Sequence, residues 1–249
     1  MIFRQLFEPV SSTYTYLLAC PQTREAVLID PVMPAWQRDL QIVNDLGSKL
    51  VMTIDTHIHA DHITSATMLK REAGSRIALS AMDALACTDV GLRDGVPLQV
   101  GGIRLDPVHT PGHTDNHFAI VAGDRVFTGD ALLIDGCGRT DFQSGDARAL
   151  YASVRGKLFT LPPETLVYPG HDYQGRWVSS IAQERQRNPR LGGERTVEEF
   201  VDLMNKLDLP YPKFIDYAVP GNRQCGKCPD DLPERLQQYC REMQESPQG

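Results

Sequence analysis

The segment Thr56-His57-Ile58-His59-Ala60-Asp61-His62 brings three imidazoles and a carboxylate into one short stretch of chain. Imidazole nitrogen and carboxylate oxygen are the donors that zinc and Fe(II) accept. A lone buried histidine is ordinarily a hydrogen-bonded core residue, and few structural needs call for three in alternation beside an aspartate. The stretch therefore reads as a metal site with up to four ligands: His57, His59, Asp61 and His62.

Three further residues stand in a shared context downstream. His113 follows Pro111-Gly112, Asp130 follows Gly129, and His171 follows Pro169-Gly170, each at the end of an apolar run. Glycine lets a strand end turn sharply and aim the next side chain at a common rim. These three are the natural remaining ligands.

The elements that must position them are legible from periodicity. Ile2 to Phe7, Thr13 to Cys20 and Ala26 to Ile29 alternate or run apolar as strands of one sheet do, and Ala35 to Leu46 has helical spacing that stops at Gly47. Leu50 to Ile54 reads as a buried strand leading into the histidine cluster. Asp61 to Glu72 has helical periodicity, which sets Asp61 and His62 at a helix N-terminus. Val96 to Val108 alternates around Gly101-Gly102, and His117 to Ala122 with Arg125 to Thr128 flank Gly123-Asp124, so both read as hairpins. Asp146 to Phe159 is helical and Thr165 to Tyr168 is a strand. Helical patterns follow at Val178 to Arg187, Thr196 to Leu207 and Leu232 to Met243. Strands then helix, repeated in both halves, fit an α/β architecture of two mixed sheets covered by helices, an αββα sandwich. The expectation is one domain over 1–249, with a short helical C-terminal extension from about 190.

Composition narrows the function classes. With 41% hydrophobic and 23% charged residues the chain has the balance of a globular protein, and its net charge of −7 offers no basic surface for nucleic acid. No apolar run approaches the roughly 20 residues of a membrane span, and Met1 to Val10 lacks the basic segment and apolar run of a secretory signal. The expected location is cytoplasmic. Six scattered cysteines lack the density of a disulfide framework, so reduced thiols are expected. Cys225-Gly226-Lys227-Cys228 is one Cys-x-x-Cys pair without the second pair of a structural zinc site, and reads as free thiols in a loop.

Taken in order, His-x-His-x-Asp-His, Thr-Pro-Gly-His, Gly-Asp and Gly-His resemble the metallo-β-lactamase superfamily, from the first strands to at least Tyr173. That superfamily contains several chemistries, so the metal motif does not name a reaction. The run from Phe127 to Gln143, with Gly136-Cys137-Gly138-Arg139-Thr140-Asp141-Phe142, is similar to the persulfide (sulfur) dioxygenases, as are Thr56 to Thr64, Leu158 to Pro162 and Tyr168 to Gly175. Glyoxalase II shares Gly-Cys-Gly-Arg but diverges after the arginine.

The resemblance implies one Fe(II) per chain on His57, His113 and Asp130, a two-histidine, one-carboxylate face that leaves positions for substrate and oxygen. It makes His59, Asp61, His62 and His171 supports of those ligands, or ligands of a second metal in a zinc or mixed dinuclear alternative. It implies oxidation of glutathione persulfide with O2 and water to sulfite and glutathione. Arg139 would contact the glutathione, Thr114 and Cys137 would line the pocket, and Tyr173 would donate a hydrogen bond to bound oxygen or sulfur. Arg139 could equally form an ion pair with Asp135 or Asp141, while Asp30, Thr56 and His109 read as structural. Asp115-Asn116-His117 departs from the family pattern, and His117 could reshape the pocket. A homodimer and a functional link to a rhodanese or a sulfide quinone reductase are compatible with the resemblance. The rival readings are a dinuclear glutathione thioesterase like glyoxalase II and, from another class, a thiol redox sensor using Cys225 and Cys228.

Overall fold

The computed structural model describes residues 1–227 and Glu234. The expected helix at Leu232 to Met243, and Cys228 and Cys240, lie outside the fully described stretch. The chain forms two compact units, one of residues 1–91, 99–103 and the segment from Tyr211, the other of 92–98 and 104–210.

The first unit is built on a mixed sheet of order β1-β2-β3-β4-β5-β6. Its strands are β1 (Ile2–Glu8), β2 (Thr13–Ala19), β3 (Glu25–Ile29), β4 (Lys49–Ile54), β5 (Arg76–Ser80) and β6 (Val90–Leu92). The first three pair antiparallel and β3, β4 and β5 run parallel, so the ends of β3 and β4 emerge at one edge with Asp30 and Asp55 next in sequence. Helix α1 (Trp36–Asp45) makes the crossover between β3 and β4, and α2 (Ala66–Ala73) that between β4 and β5. Val43 and Leu69 from these helices pack with Leu17, Leu28 and Leu50 of the sheet.

Helix α2 starts at Ala66, so Asp61 and His62 lie on a loop and not at a helix N-terminus. The backbone of that stretch is committed elsewhere. Met33 N–H donates to Ile63 O at 2.8 Å, Ser65 N–H to Pro31 O at 2.9 Å, and Val32 bridges Thr64. Groups paired across the chain are unavailable to an i→i−4 ladder, and helical spacing alone could not reveal that.

The other mixed sheet, of order β12-β11-β10-β9-β8-β7, belongs to the second unit except for residues 99–103. Its strands are β7 (Leu98–Val100), β8 (Ile103–His109), β9 (Phe118–Ala122), β10 (Arg125–Gly129), β11 (Leu166–Pro169) and β12 (Ser179–Ser180). Helices α3 (Ala147–Gly156), α4 (Ile181–Arg187) and α5 (Val197–Asn205) belong to this unit, and Leu150, Val154, Ile181, Phe200 and Met204 form one core with Val126 and Val167. Asp146 caps α3 by accepting from Ala149 N–H at 2.8 Å, and Thr196 with Glu199 forms a capping box on α5.

After Tyr211 the chain returns to the first unit as α6 (Ile215–Asn222), which the sequence reading missed because Pro220 sits inside it. Tyr217 and Ala218 pack on Met33, Ile63 and Met68. This return overturns the expectation of reduced thiols throughout. Cys225 is buried with Ile58, Ala66, Ile77 and Leu79, and bonds to Cys87 across 138 residues, with Cα atoms 6.1 Å apart. Cys20 and Cys137 are free and buried.

Candidate metal centre

In the first unit, the site is set by Asp30, which follows β3 with φ +50°, an uncommon conformation for a residue other than glycine. It is held there by its own N–H on Ile54 O at 2.8 Å and by Thr15 Oγ1 donating to its carbonyl at 2.8 Å. Its carboxylate thereby receives Thr56 N–H at 2.7 Å, Thr56 Oγ1–H at 3.0 Å and His59 Nε2–H at 3.1 Å. Thr56 Oγ1 also lies 3.0 Å from His57 Nδ1. Since the hydroxyl proton is given to the carboxylate, the oxygen accepts from His57 Nδ1–H, and Nε2 is the ring nitrogen able to coordinate a metal.

The neighbouring rings crowd together. Ring centroids of His57 and His59 are 4.1 Å apart and those of His59 and His62 are 4.2 Å apart. His62 Nδ1 lies 2.7 Å from Asp61 Oδ2, which also accepts from Thr13 Oγ1 at 3.1 Å. Burial works against a charged His59, but the Asp30 charge and hydrogen bond, helped by Asp61 and Asp55, outweigh it and bring its pKa to about 9. Burial pushes the Asp55 carboxyl up to about 7 against the pull of His59. His59, Asp61 and His62 each offer a donor atom within 4.8 Å of the others.

The second unit supplies its own donors from strand ends. Gly112, between β8 and His113, has φ +137°, and a Cβ there would fall 2.2 Å from Leu150 N, so the turn seats against α3 only as glycine. His113 Nδ1–H donates to Arg139 O at 2.8 Å, which leaves Nε2 as the ring nitrogen able to coordinate a metal. Asp130 follows β10, and its Oδ2 lies 3.6 Å from His113 Nε2 and its Oδ1 3.6 Å from His171 Nε2. Both separations are too long for hydrogen bonds. Each places a carboxylate oxygen opposite an imidazole nitrogen without a direct bond between them, as two donors to a metal would be.

His117 does not face the pocket as the sequence suggested it could. Its Nε2 accepts the backbone N–H of Asp130 at 3.1 Å, and its Nδ1–H donates to Thr110 Oγ1 at 2.8 Å. It is a strut beneath Asp130, just as His109, whose Nε2–H donates to Asp115 O at 2.9 Å, ties down the preceding turn.

These residues fit a divalent cation. Asp130 Oδ1 is buried without a hydrogen-bond partner among the described residues, a costly state unless an ion meets it. Space is reserved beside the ligands as well: a Cβ on Gly170 would fall 2.6 Å from Asp130 Oδ1, and one on Gly138 would fall 2.7 Å from His113 Nδ1.

The expected pocket residues are placed unevenly. Arg139 turns its Nε and Nη2 onto Asp141, both at 2.6 Å, gives Nη1 to Pro210 O at 2.8 Å, and lies over the Phe142 ring. Cys137 is packed in the core of its unit near Met204 and Arg190, and burial pushes its thiol up to about 11. Thr114 is buried and donates to Asn116 Oδ1 at 3.1 Å. Tyr173 is 74% exposed and stacks on His171, with ring centroids 5.9 Å apart. Arg176, absent from the sequence reading, pins this loop by donating to Asp172, Asp135 and Ile134 O.

Comparison with known proteins places this geometry. Residues 9–171 match the metallo-beta-lactamase superfamily. The chain is 49% identical over 229 residues to the mitochondrial persulfide dioxygenase ETHE1 of Bos taurus, covering 91% of this chain and 89% of the relative. The human protein of the same name is 48% identical over the same shares. The crystal structure of ETHE1 from Myxococcus xanthus is 53% identical, with a TM-score of 0.89 over 91% of this chain and 100% of that one.

Proposed function

The chain belongs to the metallo-beta-lactamase superfamily, and within it we propose that it is a persulfide dioxygenase acting on glutathione persulfide. One molecule of persulfide, one of O2 and one of water give glutathione and sulfurous acid, which ionises to sulfite. The observation that carries this reading is the similarity to persulfide dioxygenases along 91% of the chain. Tautomers that leave His57 and His113 each with Nε2 able to coordinate support it.

The ligands carried over from the family are His57, His113 and Asp130, holding one Fe(II). Iron bound there would supply the redox chemistry that adds oxygen to the terminal sulfur. The protein's part is to orient and support. Asp30 acting through Thr56 sets the ring of His57, Arg139 O sets that of His113, and His117 sets the backbone of Asp130. The phenol of Tyr173, on a 74% exposed residue, would donate to substrate, and Arg139 would receive a glutathione carboxylate in exchange for part of its ion pair with Asp141. No helix among the described residues is long and apolar enough to cross a membrane, and the proposed setting is the cytoplasm.

A second reading is favoured by one observation: His59, Asp61 and His62 already form a donor set, and His171 faces the other oxygen of Asp130. A dinuclear centre would use these residues for hydrolysis of a glutathione thioester, with zinc or mixed metals. The test is anaerobic loading with Fe(II), metal counting, and oxygen-electrode assay with glutathione persulfide and sulfite detection. One iron per chain with oxygen uptake matched by sulfite is expected. Two tightly held metals and thioester hydrolysis without oxygen uptake would overturn the dioxygenase reading.

A further inference from the structure

Asn222, at the end of α6, is 2% exposed and spends its whole side chain on the histidine loop. Its Nδ2 donates to His59 O at 2.9 Å and to His62 O at 2.7 Å, while its Oδ1 accepts Thr64 N–H at 2.8 Å. Two carbonyls demand the donors and one N–H demands the acceptor, so the orientation of the amide is fixed by its partners. These contacts reach across 158 to 163 residues of sequence to the backbone of residues 59–64. An amide that satisfies three buried backbone groups of one loop decides the path of that loop.

The turn after Asn222 is itself clamped. Cys225 N–H donates to Asn222 O at 3.0 Å, and Cys225 O accepts both Thr67 N–H at 3.1 Å and Thr67 Oγ1–H at 2.6 Å. Gly226 has φ +90° and lies so close to Thr64 that a Cβ would fall 2.1 Å from its carbonyl oxygen. Cys225 takes φ +55°, which is unfavourable for a residue with a side chain, and its sulfur is bonded to Cys87.

We propose that Asn222 is a positioning residue for the metal-binding loop, held in place by the Cys87–Cys225 clasp, so that reduction of the clasp loosens the loop's grip on its metal. The inference rests on the reading of His57, at the start of this loop, as a metal ligand. Cys225 is fully buried and Cys87 half-buried, so an incoming low-molecular-weight thiolate attacks Cys87 Sγ. The protein S–S bond breaks and Cys225 leaves as thiolate, taking up a proton. A second thiolate then attacks the outer sulfur of the mixed disulfide and releases Cys87. Two thiols are oxidised to one small disulfide, and the protein disulfide is reduced to two thiols. In the proposed reaction the glutathione released is a reductant of this class.

The test follows iron itself, not turnover. Full-length wild type, Asn222→Ala, Asn222→Asp and Cys87→Ser are loaded with Fe(II) anaerobically, and transfer to a colorimetric chelator is timed. Thermal unfolding of each metal-free protein checks the fold. Asn222→Asp fills the same volume and still accepts from Thr64, but turns a carboxylate oxygen on the carbonyls of His59 and His62. Release about ten-fold or more faster is expected for both Asn222 variants, the scale on which supports of metal ligands act. Cys87→Ser, or wild type in excess dithiothreitol, should also release faster, and dithiothreitol should add nothing in Asn222→Asp. Wild-type release by Asn222→Asp would overturn the positioning role, and unchanged release by reduced wild type would overturn the clasp. A wild-type chain that takes up no iron would overturn the metal reading, and this inference with it.

Discussion

His117 Nε2 accepts the backbone N–H of Asp130 at 3.1 Å, so a histidine that departs from the family pattern holds up a proposed ligand from behind. Replacing it with alanine leaves a buried N–H and the Thr110 hydroxyl without this partner. His117→Ala should lose about 1–3 kcal/mol of stability and about ten-fold or more in metal affinity. Urea unfolding and chelator competition read the two effects separately. An activity loss with metal affinity unchanged would place His117 in the substrate pocket instead.

Gly170→Ala tests the space kept beside Asp130. The added Cβ would fall 2.6 Å from Asp130 Oδ1, and Gly170 has no left-handed φ that would confuse the result with backbone strain. The variant should fold yet retain far less iron after gel filtration, measured by metal analysis. Full iron content would show that Asp130 can swing aside and still bind.

Arg139 and Asp141 make a pair whose partition is measurable. If the guanidinium serves a glutathione carboxylate, Arg139→Ala should raise KM about ten-fold with kcat little changed, because that contact is made equally in ground and transition states. Asp141→Asn weakens the ion pair that now engages the same fork, and should lower KM. Unchanged KM in both variants would leave Arg139 as a tie between its loop and Pro210.

Asp39 gives a pH dependence far from the metal. Burial raises its pKa from 3.8 to about 6, only partly countered by Arg38. A carboxyl with a raised folded-state pKa adds stability below its unfolded pKa and loses it as pH climbs through the folded value. Between pH 4 and pH 8 the parent should therefore lose up to about 3 kcal/mol from this group, and Asp39→Asn should not. The stability of the variant relative to the parent should rise with pH, measured by urea unfolding at both ends. A constant difference would mean that Asp39 stays ionised throughout.

Much of this was legible in the sequence, because the candidate ligands sit where periodic elements end. The strands before His57, Asp130 and His171 alternate or run apolar and stop at aspartate, glycine or proline, and a Pro-Gly pair stands directly before His113, so their edges announce themselves. The supports are another matter. Asp30 was noticed only for its proximity in sequence, Asn222 not at all, and the pairing of Cys225 was assigned to no partner. Each depends on a contact from a distant part of the chain, and such contacts leave no local period. The start of α2 failed for the same reason, since backbone groups at Ile63 to Ser65 are claimed by Pro31, Met33 and Asn222.

Cys87 and Cys225 also change how the polypeptide is connected. Every residue assigned to the second unit, 92–98 and 104–210, lies between them in sequence, so the bond turns that whole unit into part of a closed covalent ring. A protease that cuts any one exposed peptide bond in the ring opens it without parting the chain. The nicked protein would keep its full mass until a reductant separates the fragments.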